Sequence, residues 1–227
     1  MPRNAKLFVA VTIASGSMIL ITSLWWDHYF ESGTLFLYCL VLALLASTFK
    51  IKLPGMPSTI GASFVLFLIA LTELPLEETL MIAALSTLVQ CLWRPKSRPA
   101  VERVAFSIAS TVISIAAAFA ATAELKTQAL AAALVVASIV FFAVNSALVS
   151  VVIALVNRQG PMQVWRNCHR WAFPYYVVGA GLAIAITAYG RSHSWALSFT
   201  MLPLLYMTYT CYEQWLKPQR AGAVDNT

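Results

Sequence analysis

Residues 128–156 read QALAAALVVASIVFFAVNSALVSVVIALV and contain no charged side chain. An apolar stretch of about 18 residues or more is typical of a transmembrane helix, because a helix bonds its own backbone polar groups inside lipid. This stretch is also longer than the roughly 20 residues that an upright crossing needs. We therefore expect a helix that either tilts in the bilayer or runs past it into the cytoplasm.

The rest of the chain repeats this pattern of long apolar blocks joined by short polar connections. Only 11% of the 227 residues are charged, whereas about 25% are charged in an average soluble domain. The sequence predicts an all-α, polytopic transmembrane bundle of about eight spans, which forms a single domain over 1–216 and is followed by a short disordered cytoplasmic tail at 217–227. The predicted spans are 7–24, 33–48, 58–73, 78–93, 104–122, 128–156, 173–190 and 194–216.

The basic residues are distributed unevenly between the two sides of this bundle. With the N-terminus inside, thirteen of the 15 Lys and Arg residues fall on the inner side, and only Lys126 and Arg191 fall on the outer side. This asymmetry predicts that both termini are cytoplasmic, in a multi-pass protein of the bacterial cytoplasmic membrane. It also explains the net charge of +6 better than nucleic-acid binding does. The inner-side residues are Arg3, Lys6, Lys50, Lys52, Arg94, Lys96, Arg98, Arg103, Arg158, Arg166, Arg170, Lys217 and Arg220.

Residues 49–61, FKIKLPGMPSTIG, interrupt the helical pattern. Pro54, Gly55 and Pro57 lie within four positions, so this segment cannot form one continuous helix. We expect it at the cytoplasmic interface. A tight loop is favoured over a broken segment that dips into the bundle and lines a cavity.

Small residues are concentrated in the fifth and sixth predicted spans. Inside lipid, small side chains let helix backbones approach closely and gain packing energy. We therefore predict that these two spans form the protein-facing centre of the bundle, and that Gly179 and Gly181 have the same role in the seventh span. The small residues are Ser107, Ser110, Ser114, Ala117, Ala118, Ala121, Ala131, Ala132, Ala133 and Ala137.

Residues that could carry chemistry are scarce in the predicted spans. Every ionisable side chain except Cys and Tyr falls at or beyond a span end, which argues against a proton relay or a buried metal site. The sequence contains no Walker loop, HExxH, GxSxG or GxGxxG motif, and its four cysteines are interpreted as packing residues. We predict a non-enzymatic protein with no catalytic residues, no metal and no cofactor. The cysteines are Cys39, Cys91, Cys168 and Cys211.

Four neutral polar residues are the candidates for ligand binding. Asn145 lies midway through the sixth span, where hydrogen bonding between helices is favoured over a ligand contact. Gln90 precedes Arg94 by one turn and either caps the fourth span or contacts a ligand. Tyr206 and Tyr209 share a face of the last span after Pro203; this face is either a cavity wall or, as we favour, ordinary packing.

The order of these features resembles the multi-span membrane sensor regions found N-terminal to bacterial HD-GYP phosphodiesterases and diguanylate cyclases. The resemblance covers most of the chain but rests on soft motifs of span ends and loops. In that family, the membrane region detects a signal and passes it down the last helix to a cytoplasmic output domain. Here only KPQRAGAVDNT follows Leu216, so we expect either a stand-alone relative or a fragment, without HD-GYP or GGDEF chemistry of its own. The matching segments are LASTFKIKLPGMPSTIGASFVLFLIAL, LVQCLWRPKSRPAVERVAFSIAS, FFAVNSALVSVVIAL, VWRNCHRWAFPYYVVGAGLA and LPLLYMTYTCYEQWL.

Three functions are compatible with these features. The favoured one is a sensory or ligand-binding membrane module that acts through a cytoplasmic or membrane partner. The second is a small-molecule transporter or a substrate-capturing transporter subunit, and the third is a structural assembly factor. The expected partners are the lipid bilayer, a signalling output protein or transporter subunit, and a small-molecule ligand of unknown identity, but no nucleic acid.

Reporter fusions test the predicted topology. A reporter fused after Leu74 should be active outside the cytoplasm, and one fused after Trp93 should be active inside it, because one span separates the two positions. The reverse pattern of activities would contradict both the span count and the orientation.

Overall fold

The computed structural model describes residues 1–26, 33–52, 59–94, 99–125, 129–169 and 172–192, together with Tyr206, Thr210, Cys211 and Gln214. Over this part of the chain the fold consists of eight helices and one small β-ribbon. The helices are α1 (Arg3–Trp26), α2 (Gly33–Ala46), α3 (Phe64–Glu73), α4 (Leu76–Leu92), α5 (Val101–Thr122), α6 (Leu130–Asn157), α7 (Pro161–His169) and α8 (Phe173–Ser192). The strands are β1 (Lys50–Lys52) and β2 (Thr59–Gly61).

Four of these helices are long and apolar enough to cross a membrane by length and composition: α1, α5, α6 and α8. Two shorter apolar helices, α2 and α3, accompany them. The prediction of a helical membrane protein is therefore confirmed. The number of crossings and the orientation stay predictions, and most of the eighth predicted span, 194–216, lies outside the described residues.

The interrupted segment forms an antiparallel ribbon, so the chain is not purely α-helical. Lys50 pairs with Gly61 and Lys52 with Thr59, and the Ala62 N–H donates to the Phe49 carbonyl over 3.2 Å. The predicted helix start at 58 is wrong, because the backbone of β2 is hydrogen-bonded to β1 and α3 begins only at Phe64. The prediction that this segment is not one helix is confirmed, and its centre, 53–58, is not described.

Helix α3 is the most enclosed element of the described bundle. Its residues from Phe64 to Leu71 are all buried, and it packs against α2, α4, α6 and α8. Ten residues extend only about 15 Å, roughly half of the hydrocarbon thickness. Helix α3 is thus enclosed among its neighbours, while α5 and α6 share the most extensive packing between helices of the described bundle, as predicted for the fifth and sixth spans.

The small residues of α5 and α6 agree with the prediction only in part. The two helices do pack along each other, and Ser114, Ala118 and Ala133 are buried. Ala131 and Ala132, however, are exposed. Only the part of this small-residue pattern that faces a neighbouring helix therefore brings backbones together.

Helix α6 extends well beyond the start of α8. The rings of Phe142 and Phe173 are 5.8 Å apart, and Phe173 is the first residue of α8. The residues from there to Asn157 add about 22 Å of helix at 1.5 Å per residue. Arg158 then adopts a left-handed conformation with φ 55°, and α7 packs back against α6. Helix α6 thus runs past the start of α8, and its tilt in the bilayer or extension into the cytoplasm stays a prediction.

The closest helix–helix contact involves a glycine that the sequence did not single out. A Cβ at Gly16 of α1 would lie 2.6 Å from Ala109 Cβ and 2.7 Å from Ala109 Cα in α5. A Cβ at Gly179 would lie 3.0 Å from Phe64 Cδ1, whereas one at Gly181 would meet nothing within 4 Å. The prediction of close packing is therefore confirmed at Gly179 and wrong at Gly181, which faces away from the bundle.

We predict that Gly16→Ala lowers the free energy of unfolding by about 1–3 kcal/mol, because the added methyl group overlaps the α5 backbone. The measurement is an SDS titration of the protein in mixed micelles, followed by circular dichroism. Gly181→Ala is the matched control, and it should leave stability unchanged or raise it by about 0.5–1 kcal/mol through the backbone entropy of the unfolded chain. Equal effects of the two substitutions would refute the close approach of α1 and α5.

Candidate functional site

An ion pair joins the ends of α3 and α8. Arg191 Nε donates to Glu73 Oε1 over 2.8 Å, and Arg191 Nη2 lies 2.6 Å from the same oxygen. The Glu73 side chain is only 12% exposed, against 43% for Arg191. The pair connects residues 118 positions apart and fixes α8 against the C-terminal end of α3.

A second carboxyl group lies next to this pair. Glu78 belongs to the first turn of α4 and is 0% exposed. The N-terminus of a helix carries a partial positive charge that stabilises a carboxylate. Thr79, the residue after Glu78, bonds to the Ala70 carbonyl in the last turn of α3, so Glu78 lies at the same end of α3 as the ion pair. We call Glu73, Glu78 and Arg191 the polar cluster.

The turn between α3 and α4 holds the two carboxyl groups in position. The buried Thr79 hydroxyl lies 3.1 Å from the Ala70 carbonyl oxygen and 2.9 Å from that of Pro75. The Leu74 N–H also donates to the Ala70 carbonyl over 2.8 Å. Because these bonds connect the last turn of α3 to the first turn of α4, the two glutamates are carried by one rigid helical hairpin.

Glu73 is the last residue of α3 and Glu78 lies in the first turn of α4, so both are at helix ends, as predicted for the ionisable side chains other than Cys and Tyr. The sequence analysis did not predict that Glu78 is fully buried there. The sequence could have indicated this burial, because Ile82 and Ser86 follow Glu78 at four-residue intervals and are also buried. Glu77, one position earlier, is only half-buried. Helical periodicity alone distinguishes the buried Glu78 from the half-buried Glu77.

The other end of α3 contacts an aromatic cluster, which we define as Phe64, Phe141, Phe142, Tyr175 and Tyr176. The ring of Tyr176 lies 4.5 Å from Phe64 and 4.9 Å from Phe142, measured between centroids. The Ser138 hydroxyl donates to the Tyr176 carbonyl over 3.1 Å. These contacts join α3, α6 and α8 at the end of α8 opposite to Arg191.

Trp165 extends this cluster to α7. Its Nε1 donates to the buried Ser146 hydroxyl over 2.9 Å, and its ring is 6.1 Å from Phe142. The predicted ligand residue Asn145 is the neighbour of Ser146 in α6 and is half-buried. The sequence singled out the amide, but the contact between helices that the structure defines here belongs to the adjacent serine.

The other predicted ligand residues lie on separate elements. Gln90 is half-buried near the end of α4. Tyr206 is 51% exposed, and its ring lies 5.6 Å from Phe49 in an edge-on arrangement. Tyr209 lies outside the described residues. Ligand binding by these four residues stays a prediction.

Helices α3 and α8 pack against each other. An ion pair connects them at one end, and an edge-on contact between Phe64 and Tyr176 connects them at the other. Among the residues described by the structure, no group of three or more His, Cys, Asp or Glu is arranged to hold a metal ion. A change at the polar cluster can therefore reach α6 and α7 through α8.

These features define a helical membrane bundle with a buried charged cluster at one end of its most enclosed helix. The model of the MASE9 family, a family of membrane-associated sensor domains, matches residues 18–215. The chain belongs to this family. No curated protein and no solved structure matches the chain.

A double-mutant cycle tests the ion pair. Glu73→Gln and Arg191→Gln should each lower the free energy of unfolding in mixed micelles, and the double substitution should cost less than their sum by about 1 kcal/mol. Glu77→Gln, which changes the same turn without touching Arg191, is the control and should show no coupling to Arg191→Gln. Additive effects at positions 73 and 191 would contradict the ion pair.

Proposed function

We propose that this chain is a non-enzymatic sensory module of the bacterial cytoplasmic membrane, with eight crossings and both termini in the cytoplasm. The family match over residues 18–215 supports a membrane sensor. The thirteen-to-two distribution of basic residues supports the orientation. In this orientation the polar cluster lies in the outer part of the bundle.

The observation that carries the proposal is the polar cluster itself. A carboxylate kept out of water costs free energy unless it is paired or otherwise stabilised. Glu73, which pairs with Arg191, and the fully buried Glu78 nevertheless lie at the same end of the α3–α4 hairpin. A small charged or polar molecule arriving from the outer side would compete with Glu73 for Arg191, or with Arg191 for Glu73. Binding of the signal molecule would thus replace the ion pair between Glu73 and Arg191.

Loss of the ion pair would release one end of α8. Its other end is packed through Tyr176 and Phe142 against α6, and Phe142 also contacts Trp165 of α7. The chain continues from α8 into the last predicted span and the predicted cytoplasmic tail. Movement of α8 would therefore be transmitted to the inner side, where the output partner binds. By the resemblance described above, that partner is an HD-GYP or GGDEF protein.

Charge reversal in the cell that encodes the chain tests this function. Glu73→Arg and Arg191→Glu should each shift the cellular level of cyclic dinucleotide away from wild type, because like charges then separate α3 from α8. The combined reversal should restore the wild-type level, since it rebuilds the ion pair in the opposite sense. The measurement is mass spectrometry of nucleotide extracts.

Two controls make the test decisive. Glu77→Arg makes the same charge change in the first turn of α4, close to Glu73 in sequence, and should leave the cyclic dinucleotide level unchanged. Immunoblots of the membrane fraction should show equal amounts of every variant. Unchanged levels for both single reversals, or solute accumulation by proteoliposomes that contain only this chain, would reject the sensor in favour of an assembly factor or a transporter.

A further inference from the structure

A cleft of ≈ 420 Å³ lies between the start of α1 and the end of α6. Arg3 and Asn4 of α1 form one side, and Arg158 and Gln159 form the other. Its volume falls within the range of about 300–1,000 Å³ that is common for ligand sites. The cleft is separate from the polar cluster. The polar cluster belongs to α3, α4 and α8, and none of these helices lines the cleft.

Two arginines line this cleft without an acidic residue beside them. None of its lining residues among those that the structure describes is Asp or Glu. Both arginines are exposed, and two positive charges that line one cleft repel each other, although solvent and salt screen part of this repulsion. An anion between Arg3 and Arg158 would remove that cost and accept hydrogen bonds from both guanidinium groups.

The remaining wall of the cleft is apolar. Val151 and Leu155 contribute it from the last turns of α6, the part of the helix that runs past the start of α8. An anion with attached hydrocarbon would satisfy both surfaces, since its charge would lie between the arginines and its chains along α6. Basic pockets between transmembrane helices on the cytoplasmic side bind lipid head groups of this kind.

We propose that this cleft binds a phosphodiester anion, supplied by the head group of an anionic phospholipid in the inner leaflet. Arg3 and Arg158 bind the phosphate oxygens, and Asn4 and Gln159 donate to the neighbouring oxygens of the head group. The inner-leaflet source rests on the proposed orientation, whereas the phosphate site itself is independent of the ligand and the partner of the sensor.

Native mass spectrometry of the detergent-solubilised full chain tests the site. The chain is titrated with dioctanoyl phosphatidylglycerol, with dioctanoyl phosphatidylcholine and with glycerol phosphate. Phosphatidylglycerol should bind tighter than phosphatidylcholine, and the double substitution Arg3→Gln/Arg158→Gln should weaken its binding by about tenfold or more. Glycerol phosphate should bind only weakly, because it lacks the chains that lie on α6.

A matched variant separates a specific site from general surface charge. Lys6→Gln/Arg166→Gln also removes two exposed basic residues, from α1 and α7, and neither lines the cleft. This variant should retain wild-type binding. Glycerol phosphate that binds as tightly as the lipid, and is lost in the cleft variant, would support the phosphate site and assign it a soluble source. Equal affinities for the two lipids without binding of glycerol phosphate, or equal losses in the two variants, would overturn the proposal.

Discussion

The packing of α3 against α8 is the contact on which the rest of the described structure depends. Helix α3 is only ten residues long, and its side chains from Phe64 to Leu71 are all buried. It is therefore held by its neighbours rather than by lipid. Glu73 and Arg191 fix one end, and Phe64 and Tyr176 fix the other. Gly179 lies between these two contacts and allows the approach, since a Cβ there would press on Phe64.

This packing explains how a membrane protein with few charges can keep two carboxyl groups largely or fully buried. In the hydrocarbon region a buried charge is expensive, and such residues are usually retained for function. The cost is lowered here by Arg191 and by the positive N-terminal end of α4, which carries Glu78. The same reasoning gives the ion pair its mechanical meaning. Glu73 is mostly shielded, whereas Arg191 is 43% exposed, so a competing ion can reach the pair from the Arg191 side and weaken it.

The sequence predicts the parts of this fold that depend on local composition and misses those that depend on distant pairing. The helix around 128–156 follows from hydrophobicity alone, and its overrun past α8 follows from its length. The start of α3 at Phe64 does not, because it depends on hydrogen bonds between β2 and β1. The pairing of Glu73 with Arg191 cannot be predicted from a single sequence, because it also joins distant residues. The periodicity of α4, in contrast, could have identified Glu78 as buried. Asn145 is predicted as a candidate because it is polar, but an amide by itself does not indicate which helix faces it.

The part of α6 beyond Phe142 connects the aromatic cluster to the basic cleft. Beyond Phe142, α6 carries Ser146, which accepts the hydrogen bond of Trp165, and ends at Arg158, which lines the basic cleft. The first residue of α8, Phe173, contacts α6 at Phe142. Since α7 packs back against α6, the α6–α7 hairpin extends from the aromatic cluster at its base. A head group bound at its tip would hold the hairpin at a fixed height relative to the membrane surface. Displacement of α8 would then be converted into a change of angle at that base, and not into a drift of the whole bundle.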